Sequence, residues 1–517
     1  MGRAALDRRG SATVRPGGRL VIRLSNSTLV SLPAGVEGPA YDRTRVTPGI
    51  AHLGVGQFHR AHQALYLDRC LALPGQERWG IVGIGVLDGA RERHKADALH
   101  TQQGLYSLTE FPARGRPTVR VVGSLVGYLH APEDPERVLE LLAAPDLRLV
   151  TLTLTEGGYN LDEAGQFLLE TPAVARDLDS QVPTTAFGLV TEALRRRRER
   201  GLGPFTVLSC DNLRQNGEVA RDAFLSFARA RVPSLANWME EHVTFPSAMV
   251  DRITPGVTEH EAARLNEASG LDDALPVYSE SFIQWVIEDR FCAGRPPLER
   301  VGVQFTDDVG PYEQVKLRLL NASHSLLAFP GLLMGYRFVA QAMEDPALVS
   351  LLQAFLREDA EPLLHPPRGF SVRDYGDTVL ERFSNPAIND QLLRIASDSA
   401  SKLPLFVQPT AREALRQGRD TRRIAFLLAA FCEYLRGVDE RGHVFLPLEP
   451  HLTGAEVRRA HATDLKAPLG LELFQGWGLA EHPGFVKDCV HFRRELRFKG
   501  VSATLAELAR STEAASA

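Results

Sequence analysis

The sequence predicts an α/β fold: an N-terminal Rossmann-like parallel-sheet domain followed by a mostly α-helical C-terminal domain. Three observations carry this. Apolar strand-like runs alternate with helical periodicity from about residue 48 to residue 300, the pattern of a parallel sheet wrapped on both faces. Gly54-Val55-Gly56 stands between the first apolar run and the first helical pattern, the context of a dinucleotide-binding turn. Beyond 303–308 strand signals nearly vanish and helical patterns take over.

Taken in order, residues 1–20 are rich in Arg and Gly without a period and read as a loose tail; 21–47 read as a short arm. The run 49–53 (Gly-Ile-Ala-His-Leu) is a buried strand, and a helix follows over 58–73. A second strand, 80–87, ends at Asp88, with a helix from Ala90. Further strand-like runs cover 119–122, 147–155 and 205–210; helical patterns cover 134–144, 185–200 and 216–232. The loop-like Gly294-Arg295-Pro296-Pro297 marks a boundary near 300, dividing the chain into 1–47, 48–300 and 301–517. The last part shows helical patterns at 311–342, 346–358, 375–399, 409–437, 454–475 and 483–510, interrupted by the Pro-rich 361–368.

Composition excludes several function classes. A formal net charge of −5 offers no basic surface for nucleic acid, and the one basic run, Arg195 to Arg198, ends a helical pattern where cations suit the dipole. The cysteines (Cys70, Cys210, Cys292, Cys432 and Cys489) are odd in number and widely spaced, without a CxxC. That argues for reduced thiols in a cytoplasmic protein and against a disulfide framework or a Cys-based zinc site. No continuous apolar h-region opens the chain, and no run approaches the length of a membrane span. Met1-Gly2 is followed by Leu6, where a myristoylation signal wants Ser or Thr.

Lys316 is the most informative residue. The chain has only six lysines (Lys95, Lys316, Lys402, Lys466, Lys487 and Lys499) and otherwise uses Arg. Arg cannot release its proton, whereas a desolvated Lys titrates toward neutral pH and serves as a base. On an α-helix with Lys316 at 0°, Glu313 falls at about 60°, His324 at about 80° and Asn321 at about 140°. All four share one side. The competing reading is a snorkelling Lys among surface polar residues.

At the glycine turn, Gly54 and Gly56 permit a tight turn and close approach of a pyrophosphate, although His59 holds the third glycine position of GxGxxG. Asp88 at the end of the second strand suits an adenosine ribose and repels a 2′-phosphate; its competing reading is a cap for the following helix. His59 and His62 share a helix face, but no nearby Cys or carboxylate cluster completes a tetrahedral metal set.

Several blocks occur in order along the chain. They are Gly54-Val55-Gly56-Gln57-Phe58-His59-Arg60-Ala61-His62-Gln63-Ala64, Leu154-Thr155-Glu156-Gly157-Gly158-Tyr159, Ser209-Cys210-Asp211-Asn212 and Met249-Val250-Asp251-Arg252-Ile253-Thr254-Pro255, followed by the helix with Lys316, Asn321 and His324. In these blocks, and from about residue 28 to the end, the chain resembles the polyol-specific long-chain dehydrogenases, most of all the members acting on mannitol. The resemblance implies a metal-independent, NAD-dependent interconversion of D-mannitol and D-fructose. It implies Lys316 as general base, Asn212 and Asn321 as holders of the developing alkoxide, and Glu313 as a proton relay to bulk water. It places His324, Asp251, Arg394 and Lys402 on the sugar hydroxyls. It places Gly54, Gly56, Phe58, His59, Arg60, Asp88, Thr155 and Glu156 around the cofactor.

The chemistry agrees. Oxidising a secondary alcohol needs a proton acceptor, a hydride acceptor and donors for the oxygen between them. The amine must be neutral before hydride leaves, which burial or a neighbouring cation favours and Glu313 opposes. The substrate is expected in a cleft between the two domains. The chain departs from the family in its N-terminal tail and in Gly89 and Ala90, where the family carries acidic residues; NADP therefore stays open beside NAD. Rival readings are the same chemistry on D-arabinitol, D-sorbitol or a hexuronate, whose carboxylate Arg394 or Lys402 suits, and a non-catalytic NAD- or sugar-sensing protein. A zinc-dependent dehydrogenase lacks its ligand set. The surface is compatible with a monomer.

Overall fold

The structure, a computed structural model, describes residues 12–14, 20–162 and 165–516. The chain forms two compact units, 1–310 and 311–517.

The first unit is built on five parallel strands: β1 (Pro48–Leu53), β2 (Gly80–Gly85), β3 (Leu125–His130), β4 (Leu149–Leu152) and β5 (Thr206–Ser209). Their spatial order is β5-β4-β1-β2-β3. The chain therefore winds outward from β1 in both directions, and the turns after β1 and β4 lie side by side at a switch point, where open α/β sheets bind ligands. Near-continuous burial along β1, β2, β4 and β5 reflects cover on both faces. One face packs Leu53, Val150 and Val207 against the helices Ala186–Glu199 and Asn216–Arg231. The other packs Ile50, Ile81 and Leu149 against Leu65, Tyr66 and Cys70 of the helix Gln63–Leu71.

Three expectations need correction here. Residues 119–122 do not enter the parallel sheet: Thr118–Val122 runs antiparallel to Tyr106–Phe111 in a separate four-stranded sheet. The third core strand starts three residues later, at Leu125, after the Gly123-Ser124 break; only Val121 and Val122 of the earlier run are fully buried. The first helix is not continuous over 58–73. His62 (φ −120°, ψ −85°) divides it into Gln57–Ala61 and Gln63–Leu71. The tail is not wholly without structure: Ala12–Val14 pairs antiparallel with Leu20–Arg23, which pairs in parallel with Leu271–Asp272. A three-residue strand is too short to show a period. Residues 1–11 and 15–19 lie outside the described residues.

A further three-stranded sheet joins Ala248–Asp251, Gln284–Glu288 and Gln304–Thr306. It delivers Asp251 at a strand end.

The second unit is helical. Arg422–Tyr434 is its axis, buried from Arg423 to Tyr434, and packs against Ala322–Leu333 and Pro483–Ser516. Several long helices expected from periodicity are broken. The pattern at 409–437 is two helices, Gln408–Arg416 and Arg422–Tyr434, separated at Gly418 (φ +65°). The pattern at 375–399 is Val372–Phe383 and Leu392–Ala396, parted around the Asn385-Pro386 turn. Apolar spacing persists across such breaks because both pieces face the same core.

Candidate active site

In the first unit the glycine turn follows β1 directly. Gly54 has φ +93°, and a Cβ there would lie 2.1 Å from the Thr153 carbonyl oxygen at the end of β4. Only glycine lets the turn cross its neighbour so closely. The Gly54 N–H donates to Ile84 O (3.0 Å), and Thr153 Oγ1 donates to Gly54 O (2.6 Å). Gly56 is different. It caps Gln57–Ala61, and a Cβ on it would have only Gly54 O near, at 3.8 Å. Its small size serves no packing inside the protein and leaves room for a pyrophosphate. Gly89 (φ +132°), after β2, likewise has open space around it. These positions fit a dinucleotide.

His59 and Arg60 turn into the protein. The His59 ring stacks on His52 (centroids 3.4 Å apart, planes 13° from parallel), and burial holds His59 well below the usual imidazole range. Arg60 donates to the Leu275 carbonyl and lies over the Tyr106 ring; the Tyr106 hydroxyl donates to Arg60 O (2.6 Å). A buried neutral imidazole carries no charge to offer a phosphate. Both residues serve here as packing beneath the turn. Phe58 is half-buried and stacks on His62. Among the described residues no group of three or more His, Cys, Asp and Glu side chains is placed to hold a metal ion.

Asp88 is exposed at the end of β2. It does not cap the following helix: Gly89 takes that position, and Asp88 accepts the Gly89 N–H (2.7 Å) while forming an ion pair with Arg93.

The turns after β4 and β5 are tied together. Asp211, after β5, accepts the N–H groups of Leu154 (3.0 Å) and Thr155 (2.8 Å) and the Tyr159 hydroxyl (2.8 Å). Thr155 has φ +65° and ψ 167°. That region is nearly closed to β-branched residues and costs on the order of 1–3 kcal/mol. Asn212 is the exposed residue next to Asp211. Glu156 opens the 3-10 turn Glu156–Tyr159; its side chain lies outside the described residues. Sequence reading passed over Asp211, although it stands between Cys210 and the singled-out Asn212. Asp251 is buried, and the adjacent Arg252 pairs with Glu110 and donates to Glu280 O and Ala61 O.

In the second unit Lys316 ends the helix Gly310–Lys316 and is buried, with 7% of its surface exposed; Glu313 on the same helix is also buried. The helix does not continue as α. Leu317–Asn321 is a π turn, and α geometry resumes at Ala322. A π turn closes i to i+5, so residues five apart stand above one another. The α-helical wheel put Asn321 about 140° from Lys316. The π turn removes most of that angle, so the two residues fall closer to one face of the helix than an α-helix allows. Nearby Arg318 is held by Thr410 Oγ1 (2.8 Å) and Leu363 O (3.0 Å). His324 is half-buried and stacks on Phe383 (4.1 Å, 11°).

Arg394 is exposed at its tip, with the buried Asp390 accepting from Nε (2.9 Å) and Nη2 (2.6 Å). Lys402, half-buried, donates to Ser397 O (2.6 Å). Its helix, Ser399–Phe406, is capped from 50 residues away: Glu449 accepts the N–H groups of Ser399 (3.1 Å) and Ala400 (3.0 Å). Burial raises the Glu449 carboxyl to about 7.

Comparison with known proteins places these features in a family. The model of the mannitol dehydrogenase Rossmann domain matches residues 48–300, and that of the mannitol dehydrogenase C-terminal domain matches 308–496. A polyol:NADP oxidoreductase of Gluconobacter oxydans is 49% identical, over 93% of this chain and 99% of the relative. A mannitol 2-dehydrogenase of Pyricularia oryzae is 39% identical, over 94% and 99%. Among solved structures, a substrate-free D-sorbitol dehydrogenase aligns with TM-score 0.89 at 48% identity, covering 93% of this chain and all of that one. The Pseudomonas fluorescens mannitol 2-dehydrogenase, in a ternary complex with NAD and D-mannitol, aligns with TM-score 0.84 at 41% identity, covering 95% and 100%. With two family domains matched in order, full-length relatives at this identity and the same fold, the chain belongs to the mannitol dehydrogenase family and is a polyol dehydrogenase.

Proposed function

We propose that the chain interconverts D-mannitol and D-fructose with NAD and without a metal, using Lys316 as general base. The observation that carries this reading is the buried Lys316 with Asn321 one π turn beyond it. A water-poor amine one π turn before an amide side chain suits a group that must take a hydroxyl proton while the oxygen is held. When bound, a nicotinamide ring supplies the hydride acceptor. Lys316 Nζ takes the alcohol proton; Asn321 and Asn212 donate to the oxygen as charge develops; Glu313 passes the proton from Lys316 toward solvent. Asp251, His324, Arg394 and Lys402 bind the remaining hydroxyls. Gly54, Gly56, Phe58, Asp88, Thr155 and Glu156 form the cofactor side, with His59 and Arg60 supporting the glycine turn from beneath. The chain acts in the cytoplasm.

Two specific observations favour second readings. Arg93 neutralises Asp88, Gly89 and Ala90 bring no further carboxylate, and a relative 49% identical is a polyol:NADP oxidoreductase; these favour NADP. The similarity to a D-sorbitol dehydrogenase favours D-sorbitol as substrate. The deciding experiment gives the purified protein NAD or NADP with a panel of polyols and hexuronates and follows reduced nicotinamide. D-mannitol with NAD should show the highest kcat/KM. Absence of turnover with every polyol would overturn the reading.

A further inference from the structure

The turn after β4 carries a threonine in a backbone conformation that threonine avoids, and something must hold it there. The Asp211 carboxylate is buried and accepts the N–H groups of Leu154 and Thr155 together with the Tyr159 hydroxyl, which also lies 2.6 Å from Ser209 Oγ. Three donors from one turn converge on one side chain. Residue 211 is also fixed through its backbone: its carbonyl accepts Asn216 Nδ2 (2.9 Å). The Asn216 amide, fully buried, then grips Ala248 twice, donating to its O (2.7 Å) and accepting its N–H (2.9 Å). Ala248 begins the strand that ends at Asp251. Thr155, Asn212 and Asp251, from three separate segments, thus hang from one hydrogen-bonded chain.

We propose that Asp211 is a positioning residue that clamps Thr155 in its left-handed conformation and so fixes the cofactor side of the site together with the neighbouring Asn212. This rests on the roles given above to Thr155 and Asn212. A purely structural carboxylate would stabilise the fold and leave the chemistry per folded molecule untouched. A clamp has a different signature, because its work is specific to the φ of residue 155. Glycine adopts that φ without strain.

The test is a double-mutant cycle of Asp211→Asn and Thr155→Gly. It is read in kcat and in the Kd of reduced coenzyme by nicotinamide fluorescence, at a temperature where melting curves show every variant folded. Tyr159→Phe, which removes one donor, is the milder second variant. Asp211→Asn should lower kcat about tenfold or more, as expected for a displaced group, and weaken coenzyme binding. In the Thr155→Gly background the same change should cost less than about threefold. Losses that multiply independently of residue 155, or an unchanged kcat per folded Asp211→Asn enzyme, would overturn the clamp. Should Asp211→Asn fail to fold, the cycle with Tyr159→Phe decides by the same criterion. If the parent protein turns over no polyol, the functional reading falls by itself. The coenzyme Kd cycle then still decides the clamp: coupling upholds it and independence removes it.

Discussion

Asn321 stands one π turn beyond Lys316 on a single helix, at the only π turn among the described residues of the Gly310–Leu333 run. The irregularity falls between the two side chains assigned to the alcohol's proton and oxygen, which is where π turns tend to persist. Lys316→Ala should lower kcat by roughly two to four orders of magnitude, the usual worth of general base catalysis. Lys316→Arg should recover almost none of it, because a guanidinium keeps its proton. Steady-state kinetics on both variants check this. A mild loss in Lys316→Ala, or substantial activity in Lys316→Arg, would move the base elsewhere.

Gly54 and Gly56 are both glycine for different reasons, and alanine separates them. Gly54→Ala places a methyl against a backbone oxygen at φ +93° and should destabilise the protein by upwards of ~1 kcal/mol, lowering the melting temperature by a few degrees. Gly56→Ala meets no protein atom closer than 3.8 Å, so the melting curve without coenzyme should barely move. Its effect should appear as coenzyme affinity weakened about tenfold, since the methyl takes the space a pyrophosphate needs. Unchanged coenzyme affinity in Gly56→Ala would mean the phosphates lie elsewhere.

The alternation of strands and helices, the glycine turn and the lysine helix were legible because each is local. The 49–53 run, the turn and the following helical pattern lie within 30 residues, and their context alone names the fold. What stayed hidden depended on contacts far apart in sequence or on departures from ideal geometry. Asp211 reaches back 57 residues to Leu154 and 56 to Thr155, and Glu449 caps a helix 50 residues earlier. No spacing rule anticipates such pairs. The helical wheel assumed a uniform 100° step and so misplaced Asn321 across the π turn. His59 and Arg60 lie in the motif block, yet their side chains face inward, because His52 and Tyr106 offer aromatic faces there. A motif fixes which residues are present, while the surrounding packing fixes where each points.

Asp88 and Arg93 set up a contrast in coenzyme choice. The ion pair leaves the carboxylate partly neutralised beside a space that Gly89 keeps open. Arg93→Ala should free Asp88 to repel a 2′-phosphate and shift the ratio of kcat/KM values toward NAD. Asp88→Ala should shift it toward NADP, each by about tenfold, in line with a single charged contact. Measuring both coenzymes with each variant checks the pair. Shifts of the same sign, or none, would show that the adenosine ribose does not meet these side chains.

Glu449 gives the second unit a pH dependence whose sign follows from its raised carboxyl. Burial is the main cause; the Ser399 and Ala400 N–H groups and Lys402 pull the other way, Asp398 adds to the rise, and the Tyr434 hydroxyl also faces it. The folded state holds this proton up to about pH 7, whereas the unfolded chain releases it near pH 4.5. Between those values the folded state binds more protons, so stability is highest below the lower value and falls as pH rises through the upper one. For a half-buried group the loss should be roughly 1–2 kcal/mol between pH 5 and 8. Glu449→Gln cannot titrate. It should be less stable than the parent at pH 5, where it loses an acceptor, yet show a flatter decline to pH 8. Hydrogen exchange over Ser399–Phe406, the helix that Glu449 caps, reads the effect locally. Parallel pH slopes for parent and variant would show that Glu449 does not carry the linkage.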